Sequence, residues 1–354
     1  TVNVDSTQNV IIIYYSENPE LNAAGFEHVY DGETHTMADA SVDGATGFKI
    51  EYSFKNDKGE WVTTEAPIGV TYATEGGEQG VEVKVTATKD GYESLEKTVY
   101  LKITKRPLTL TGEVLGTKKY TGETYATTEW SAETANYPEN TRGLVENEQV
   151  DENTLTYSLS GTDVGSYTGK FTERDEVKIY ASNKGNLDTT ENYDIQFEPG
   201  WLKIDPITDK VTVTIIGNTN KTTYDGDEKS ASDYGIKIEG SNKYTGADFK
   251  FTGDTKEVKG TDAGTYNLGL KAKQFENLNK NFTNVEFVIE CDISLTINPR
   301  SVTLTSETAS KEYDGTPLTR PNVTGGDGFV AGEVSDIKAT GSVTYVEEGE
   351  VANT

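Results

Sequence analysis

The sequence predicts an all-β protein made of tandem small immunoglobulin-like β-sandwich repeats that form an extended rod. A Tyr-x-Gly triplet recurs at spacings of 90, 104 and 89 residues, the size of one small domain. Runs such as 211–215 and 301–305 alternate apolar and polar residues, which is the period of a half-buried strand. Abundant Tyr (20) and Gly (35) suit pleated strands and the turns between them. The four triplets at these spacings are Tyr30-Asp31-Gly32, Tyr120-Thr121-Gly122, Tyr224-Asp225-Gly226 and Tyr313-Asp314-Gly315.

Stretches that end in proline predict the repeat boundaries. The first three triplets are each followed by a strand-like stretch that runs into a proline, at 100–107, 201–206 and 294–299. Proline fixes φ and lacks an amide hydrogen, so it ends strand pairing and stiffens the joint. A β-grasp-like unit with one short helix is the alternative fold. The predicted division is the last strand of a preceding domain at 1–17, repeat 1 at 18–106, repeat 2 at 107–206, repeat 3 at 207–299 and a truncated repeat 4 at 300–354.

A second landmark supports the repeat. Gly161-Thr-Asp-Val-Gly-Ser-Tyr167 matches Gly260-Thr-Asp-Ala-Gly-Thr-Tyr266 at nearly every position. The glycines allow backbone angles that other residues resist, and the aspartate can accept hydrogen bonds from nearby amides, so we expect a tight turn that leads into a strand. Beside these turns, the Tyr-x-Gly triplet is interpreted as a structural mark of where each repeat begins, without chemistry of its own.

These motifs resemble the MBG and YDG repeat domains of bacterial surface adhesin-like proteins, of a Gram-positive, Firmicutes-like kind. The resemblance rests on the triplets, the glycine turns, the stretches 192–195 and 200–206, and 311–318 with 328–333. It implies a secreted protein displayed at the cell wall, with a role in adhesion. The run 10–15 resembles the final strand of mucin-binding-like or β-grasp repeats. Repeat 1 departs from the pattern, because Val81 follows the glycine where the family usually has a tyrosine.

Charge and cysteine content narrow the classes of function. The formal net charge is −27, which makes nucleic acid and acidic membrane surfaces unsuitable partners. Calcium binding by carboxylate clusters is the one cofactor alternative, but no Asp-x-Asp-x-Asp-Gly loop supports it. Cys291 is the single cysteine, so no intrachain disulfide can form, and we expect it to pack as a small core side chain. A secreted chain with so little cysteine fits a Gram-positive bacterium.

No sequence motif predicts catalysis. A Gly-x-Ser-x-Gly elbow, a phosphate-binding loop and a dinucleotide fingerprint are all missing from the sequence, so no catalytic or cofactor-binding residue is assigned and we expect no enzyme. His28 and His35 flank the first triplet, but no third histidine or cysteine pair completes a metal site, and we expect a solvated loop there. Trp61, after a hairpin-turn signature, and Trp130, in the long insertion of repeat 2, are the candidate ligand-binding residues.

Two functions follow from these observations. The first is a non-enzymatic structural stalk, a monomeric rod whose tandem β modules project a binding domain from the cell wall. The alternative is that the modules themselves bind host mucin, glycan or a matrix protein. In that case Trp61 or Trp130 would stack on a sugar ring, although a structural role for these aromatic side chains is the competing interpretation.

Overall fold

The computed structural model describes residues 18–56, 58–173, 176–325 and 328–354. They divide into two compact units, Thr1–Ile204 and Asp205–Thr354. Within the described residues the chain is all-β, as predicted, and its only helices are short 3-10 turns. The strand predicted within 1–17 lies outside the described residues. The division into four repeats stays a prediction, and the repeat numbers are kept here as names for residue ranges.

Repeat 1 is centred on a five-stranded sheet with the order β2-β9-β8-β5-β6. In the central strand β8 every second side chain is buried, because Val83, Val85 and Ala87 point into the core while the residues between them face outward. The strands are β1 (Glu20–Asn22), β2 (Phe26–Val29), β3 (His35–Thr36), β4 (Ser41–Asp43), β5 (Lys49–Lys55), β6 (Trp61–Thr64), β7 (Gly69–Val70), β8 (Val81–Thr88) and β9 (Leu95–Thr104), with a 3-10 turn at Gly77–Gln79.

Repeat 2 forms four three-stranded sheets, ordered β13-β10-β20, β11-β21-β16, β12-β15-β17 and β14-β18-β19. Its strands are β10 (Arg106–Gly112), β11 (Gly116–Lys119), β12 (Tyr125–Thr127), β13 (Trp130–Ala132), β14 (Glu148–Val150), β15 (Leu155–Gly161), β16 (Gly165–Thr168), β17 (Lys170–Glu173), β18 (Ile179–Ala181), β19 (Leu187–Asp188), β20 (Tyr193–Glu198) and β21 (Trp201–Asp205). Two 3-10 turns lie at Ser182–Lys184 and Thr190–Asn192.

Repeat 3 reproduces much of this pairing, with the sheets β25-β22-β30, β23-β31-β28, β24-β27 and β26-β29. Its strands are β22 (Val211–Gly217), β23 (Thr219–Thr223), β24 (Lys229–Ser232), β25 (Tyr234–Glu239), β26 (Phe249–Phe251), β27 (Glu257–Gly260), β28 (Gly264–Asn267), β29 (Phe275–Asn277), β30 (Val285–Cys291) and β31 (Ser294–Asn298). Two 3-10 turns lie at Gly246–Asp248 and Ala272–Gln274.

Repeat 4 contains the short pairs β32-β34 and β33-β35. The alternation at 301–305 predicted a strand that starts at Ser301, but β32 begins only at Leu304, because its partner β34 is three residues long and pairs with Leu304, Thr305 and Ser306. The strands are β32 (Leu304–Ser306), β33 (Leu318–Thr319), β34 (Val323–Gly325) and β35 (Ser342–Val343), and a 3-10 turn lies at Val346–Glu348. No helix in the described ranges is long and apolar enough to span a membrane.

Opening strands pair in parallel with strands near the end of the same repeat. This holds for β2 with β9, β10 with β20, β22 with β30 and β23 with β31. A parallel pair needs a long connection, so each repeat is closed by contacts between its two ends. The hydrophobic core of the first unit is continuous across repeats 1 and 2, since one cluster of buried side chains includes Val83 and Leu101 together with Leu108 and Ile179.

Candidate functional site

Trp61 lies on β6 with 43% of its surface exposed, as expected for a residue beside a hairpin turn. The ammonium group of Lys84 sits 4.2 Å from the ring centroid, and that of Lys55 lies at 5.4 Å. This is a cation–π arrangement. A sugar would have to displace the ammonium group from the indole face that Lys84 covers, so the geometry favours the structural role of Trp61.

Trp130 begins β13 and is partly buried against Phe171, with the two rings edge to face at 6.4 Å. It lines an open cleft of about 820 Å³ together with Tyr180, Gln149 and Asp151. Trp61 is not among the residues that line this cleft, so the structure does not bring the two predicted tryptophans into one site. An aromatic ring, a phenol and several polar groups around one cleft are the groups that a carbohydrate site uses.

His28 and His35 lie on strands β2 and β3, not in the solvated loop that the sequence predicted. The parallel pairing of β2 with β9 positions the backbone of His28, whose exposed ring stacks on that of His35 at a centroid distance of 4.3 Å. Nε2 of His35 is 3.0 Å from Oδ1 of Asp31. Within the described ranges no group of three or more His, Cys, Asp or Glu side chains is placed to hold a metal ion.

Cys291 ends β30 and is half-buried, so it packs less deeply than a core side chain. Its Sγ lies 3.3 Å from the carbonyl oxygen of Gly217, to which the thiol can donate. This contact joins the ends of the parallel strands β22 and β30. The position indicates a structural cysteine.

The most elaborate side-chain cluster lies where repeat 1 meets repeat 2. Tyr30, of the first triplet, is fully buried and donates from its hydroxyl to Oε1 of Glu148 at 2.6 Å. Tyr193 donates to Oε2 of the same carboxylate at 2.5 Å. The two rings pack edge to face at 5.7 Å. One carboxylate from repeat 2 is therefore held between a phenol of repeat 1 and a phenol of its own repeat.

Burial and this shared carboxylate change the acidity of both phenols. Loss of solvent, followed by the hydrogen bond to Glu148, raises the pKa of Tyr30 far above its usual value of 10. The same two causes raise the pKa of Tyr193. Both tyrosines stay protonated at neutral pH, so each can donate to Glu148 without putting a second negative charge into the cluster.

Arg106 stands at the boundary of the two repeats and is fully buried. Its guanidinium group donates five hydrogen bonds, which matches its five N–H groups. Four of the five acceptors are backbone carbonyls and the fifth is an amide oxygen, so none of these hydrogen bonds is an ion pair. Burial lowers the pKa of Arg106. The acceptors are the carbonyl oxygens of Gly143 (2.5 Å), Tyr30 (3.1 Å), Asn140 (2.6 Å) and Arg142 (2.7 Å), and Oδ1 of Asn140 (2.9 Å).

The loop that Arg106 holds fits closely because of two glycines. Gly143 has φ +78°, and a Cβ there would lie 2.1 Å from the carbonyl oxygen of Thr134, so only glycine fits. Gly32, with φ +81°, faces Val145 of the loop at a distance of 3.1 Å from the position of a Cβ. The first triplet therefore offers a flat glycine surface against which a valine of repeat 2 packs.

Two further hydrogen bonds cross the same boundary. The amide of Ala73 in repeat 1 donates to Oδ1 of Asn192 at 2.8 Å, and Nζ of Lys184 in repeat 2 donates to the carbonyl oxygen of Gly32 at 2.7 Å. Together with the continuous hydrophobic core, these contacts join repeats 1 and 2 into a single packed body. We call the cluster of Tyr30, Arg106, Glu148, Val145 and Tyr193 the first junction.

Sequence reasoning missed Arg106, Glu148 and Tyr193, and its interpretation of the first triplet as a mark of where a repeat begins left out the contacts that Tyr30 makes. The signal was present in the sequence. Arg106 and Arg300 each lie next to the proline at the end of a predicted closing strand, Pro107 and Pro299. The stretch 143–148 also has the same residue pattern as 328–333. An alignment of these two pairs would have pointed to the junction.

The strand pairing defines the chain as a tandem all-β repeat protein. The family model of the MBG domain matches residues 210–299, which is nearly all of repeat 3. The chain thus contains an MBG domain, as the resemblance predicted. No curated protein matches the chain.

The chain is similar to several solved structures at low sequence identity. They include the Bacteroides ovatus mixed-linkage glucan utilization protein SGBP-B in complex with a mixed-linkage heptasaccharide (12% identity, 82% of this chain and 74% of that chain, TM-score 0.17). The insect immune protein hemolin is 12% identical over 91% of each chain, with a TM-score of 0.17. A Ca²⁺-stabilized, ice-binding adhesin of an Antarctic bacterium is 13% identical over 93% of this chain and 89% of that chain, also with a TM-score of 0.17. At these TM-scores the likeness carries no argument about function.

Proposed function

We propose that the chain is the non-enzymatic structural stalk of a bacterial cell-surface adhesin, in which tandem β modules project a binding domain from the cell wall. The observation that carries the proposal is the first junction. A spacer must transmit force and hold its modules in a fixed order, and repeats 1 and 2 share one hydrophobic core that is closed by a fully buried arginine. The MBG domain at 210–299 agrees with this role. The secreted location and a Gram-positive host belong to the same proposal.

The geometry explains how such a junction would resist extension. Pulling repeat 1 away from repeat 2 breaks the hydrogen bond from Arg106, on β10, to the carbonyl oxygen of Tyr30, and it uncovers the buried guanidinium group. It also breaks the bonds from Tyr30 to Glu148, from Ala73 to Asn192 and from Lys184 to Gly32. It also exposes apolar surface of the shared core. Because buried polar groups are costly to leave unpaired, these losses occur together rather than one by one.

Single-molecule extension of the full chain tests the stalk proposal. We expect repeats 1 and 2 to extend in one event that releases roughly 600 Å of contour length, and not in two events of about 300 Å each. Arg106→Met should divide that event in two. Lys105→Met is the matched control, since this neighbouring cation is exposed and pairs with Glu191 at 3.5 Å. Two separate events in the unaltered chain would overturn the proposal.

The second candidate function is glycan binding by the modules themselves, with host mucin or a matrix glycan as the partner. The cleft beside Trp130 favours it, because Tyr180, Gln149 and Asp151 line that cleft together with the indole ring. A glycan array probed with the full chain tests this. Trp130→Ala should abolish a specific signal, whereas Trp201→Ala, which removes a tryptophan that is 47% exposed on β21, should leave it unchanged. Equal loss in both variants would count against a site at the cleft.

A further inference from the structure

The second unit contains another copy of the first junction. The hydroxyl of Tyr224, in the third triplet, donates to Oε1 of Glu333 in repeat 4, and this bond raises the pKa of Tyr224 to about 12. Gly226 has φ +86°, and a Cβ there would lie 2.8 Å from Cγ1 of Val330. These contacts correspond to Tyr30 with Glu148 and to Gly32 with Val145.

The two loops that meet the triplets share sequence and backbone geometry. The stretch 143–148 is Gly-Leu-Val-Glu-Asn-Glu and the stretch 328–333 is Gly-Phe-Val-Ala-Gly-Glu. Each begins with a glycine of positive φ, and the fifth residue of each, Asn147 (φ +68°) or Gly332 (φ +88°), also has positive φ. Asparagine and glycine are the residues that adopt this conformation most readily. The common motif is Gly-(Leu/Phe)-Val-x-(Asn/Gly)-Glu.

A linker arginine stands at the same position in both units. Arg106 is the fifth residue after Leu101 of β9, and Arg300 is the fifth residue after Leu295 of β31. Arg300 lines a cavity of about 400 Å³ together with Tyr224, Val330 and Glu333. The charge of each arginine is also close to the aspartate of its triplet. Asp31 contributes to the pKa of Arg106, and Arg300, after the larger effect of Lys229, contributes to the lowered pKa of Asp225.

At the remaining boundary in the sequence, three components of this arrangement differ. The second triplet has Thr121 in place of aspartate, and the fifth residue after Leu202 of β21 is Ile207 in place of arginine. In repeat 3, residues 240–248 contain neither valine nor glutamate. The carboxylate of Asp248 there accepts hydrogen bonds from Thr245 and Asn279 inside repeat 3. The triplet aspartate, the arginine and the Val/Glu loop are thus present together or missing together.

We propose that the Tyr-Asp-Gly triplet and the linker arginine form a docking surface that selects, as its partner, a following repeat with a Gly-(Leu/Phe)-Val-x-(Asn/Gly)-Glu loop. The valine side chain of the loop packs against the glycine of the triplet, and the hydroxyl of the triplet tyrosine donates a hydrogen bond to the carboxylate of the loop glutamate. In the first junction the arginine also binds the carbonyl oxygens of Arg142, just before the loop, and of Gly143, its first residue. This selection of neighbours goes beyond the stalk function, since it holds whether the repeats act as spacers or bind a ligand.

Loop exchange in the full chain tests the selection. Leu144→Phe/Glu146→Ala/Asn147→Gly gives the repeat 2 loop the sequence of the repeat 4 loop and should preserve docking. Val145→Thr/Glu148→Asp replaces only the two selected side chains, using residue types found in 240–248 of repeat 3. Hydrogen exchange at the amide of Ala73, which donates across the boundary to Asn192, is the measurement. We expect the triple variant to exchange at about the original rate and the double variant about tenfold faster or more.

Two controls separate lost docking from misfolding. The amides of Val83 and Val85, in the middle of the repeat 1 sheet, should keep their protection in both variants. Glu148→Gln, which leaves the carboxylate site with a single acceptor oxygen for two phenols, should also speed exchange at Ala73, whereas Glu146→Gln, on the exposed face of the same loop, should not. If both loop variants exchange at the same rate, the loop sequence does not select the neighbour and the proposal fails.

Discussion

The first and fourth triplets have the same sequence, Tyr-Asp-Gly, but opposite surroundings. Tyr30 is fully buried beside Glu148 and Arg106, whereas Tyr313 is 60% exposed. Their local turns are nevertheless alike. Oδ1 of Asp31 accepts from the amide of Glu33 at 3.0 Å, and Oδ1 of Asp314 accepts from the amide of Thr316 at 2.9 Å. The comparison shows that the turn is fixed by the triplet itself, while burial is supplied by the next repeat.

The charged groups beside the two triplets also differ in how far they are exposed to solvent. Lys311 binds Asp314 at 2.8 Å, and this contact with the amide and hydroxyl of Thr316 holds the pKa of Asp314 well below its usual range. Both partners lie near the surface, so salt screens the pair and it contributes little to stability. Around Tyr30 the charges are desolvated instead, so the loss of a partner there is costly.

Arg106→Met gives the largest expected effect. The substitution keeps an apolar side chain of similar length but leaves five hydrogen-bond acceptors without their donor, so we expect the free energy of unfolding of the first unit to fall by about 3–5 kcal/mol. Denaturant unfolding followed by tryptophan fluorescence measures it, since Trp61, Trp130 and Trp201 all lie in the first unit. Lys105→Met should change the value by less than about 0.5 kcal/mol. Equal losses would show that Arg106 contributes no more than a surface cation.

Tyr30→Phe is expected to cost about 1.5–3 kcal/mol, because the partly buried Glu148 loses one of its two phenol donors and the fully buried Tyr30 loses its hydrogen bond. The matched substitution at the exposed triplet, Tyr313→Phe, should change stability by less than about 0.5 kcal/mol. Calorimetry of the full chain records both units. A similar cost at the two positions would mean that the tyrosine stabilises the turn itself and not the junction.

Alkaline pH should weaken the first junction. The pKa values of Tyr30 and Tyr193 are raised in the folded state, so the unfolded chain loses these protons first, from about pH 10 upward. Above that pH the folded state binds more protons than the unfolded state, and the free energy of unfolding falls by up to about 1.4 kcal/mol per pH unit for each tyrosine. Tyr30→Phe should reduce this slope between about pH 10 and pH 11. An unchanged slope would show that Tyr30 titrates alike in both states.

Local features of the fold were predictable from the sequence. The alternation at 211–215 predicted β22, whose side chains are alternately buried. The glycine turns at 161–167 and 260–266 predicted tight turns, which connect β15 to β16 and β27 to β28. The parallel pairing of β10 with β20 was not predicted, because most of the repeat lies between the two strands and the sequence of neither strand identifies the other as its partner. Periodicity identifies the buried face of a strand but not its neighbour.

The candidate site was less predictable for the same reason. Tyr30 and Glu148 are 118 residues apart in sequence, and the chain contains many acidic side chains that could be its partner. Lys105 and Arg106 are adjacent cations, yet one is exposed and the other fully buried. Only arginine has five donors in a planar arrangement that can satisfy several carbonyl groups at once, which is a reason to examine it first.

Substitution of the triplet aspartates gives the smallest expected effect and separates charge from hydrogen bonding. Asp31→Asn and Asp314→Asn both keep an Oδ1 acceptor, so both turns should form, and protection of the amides of Glu33 and Thr316 should persist. Asp31→Asn also removes a negative charge near the buried Arg106, which should lower the stability of the first unit by less than about 1 kcal/mol.

Asp314→Asn should leave the midpoint of thermal unfolding unchanged, because its partner Lys311 is near the surface. Tryptophan fluorescence measures the first variant, and calorimetry, together with hydrogen exchange at Thr316, measures the second. If Asp31→Asn destabilised the first unit as much as Arg106→Met does, the charge of the arginine would be the dominant contribution. The carbonyl acceptors from Asn140, Arg142 and Gly143 would then matter less than the five hydrogen bonds indicate. A small loss would instead identify Arg106 as a donor that binds the loop backbone directly.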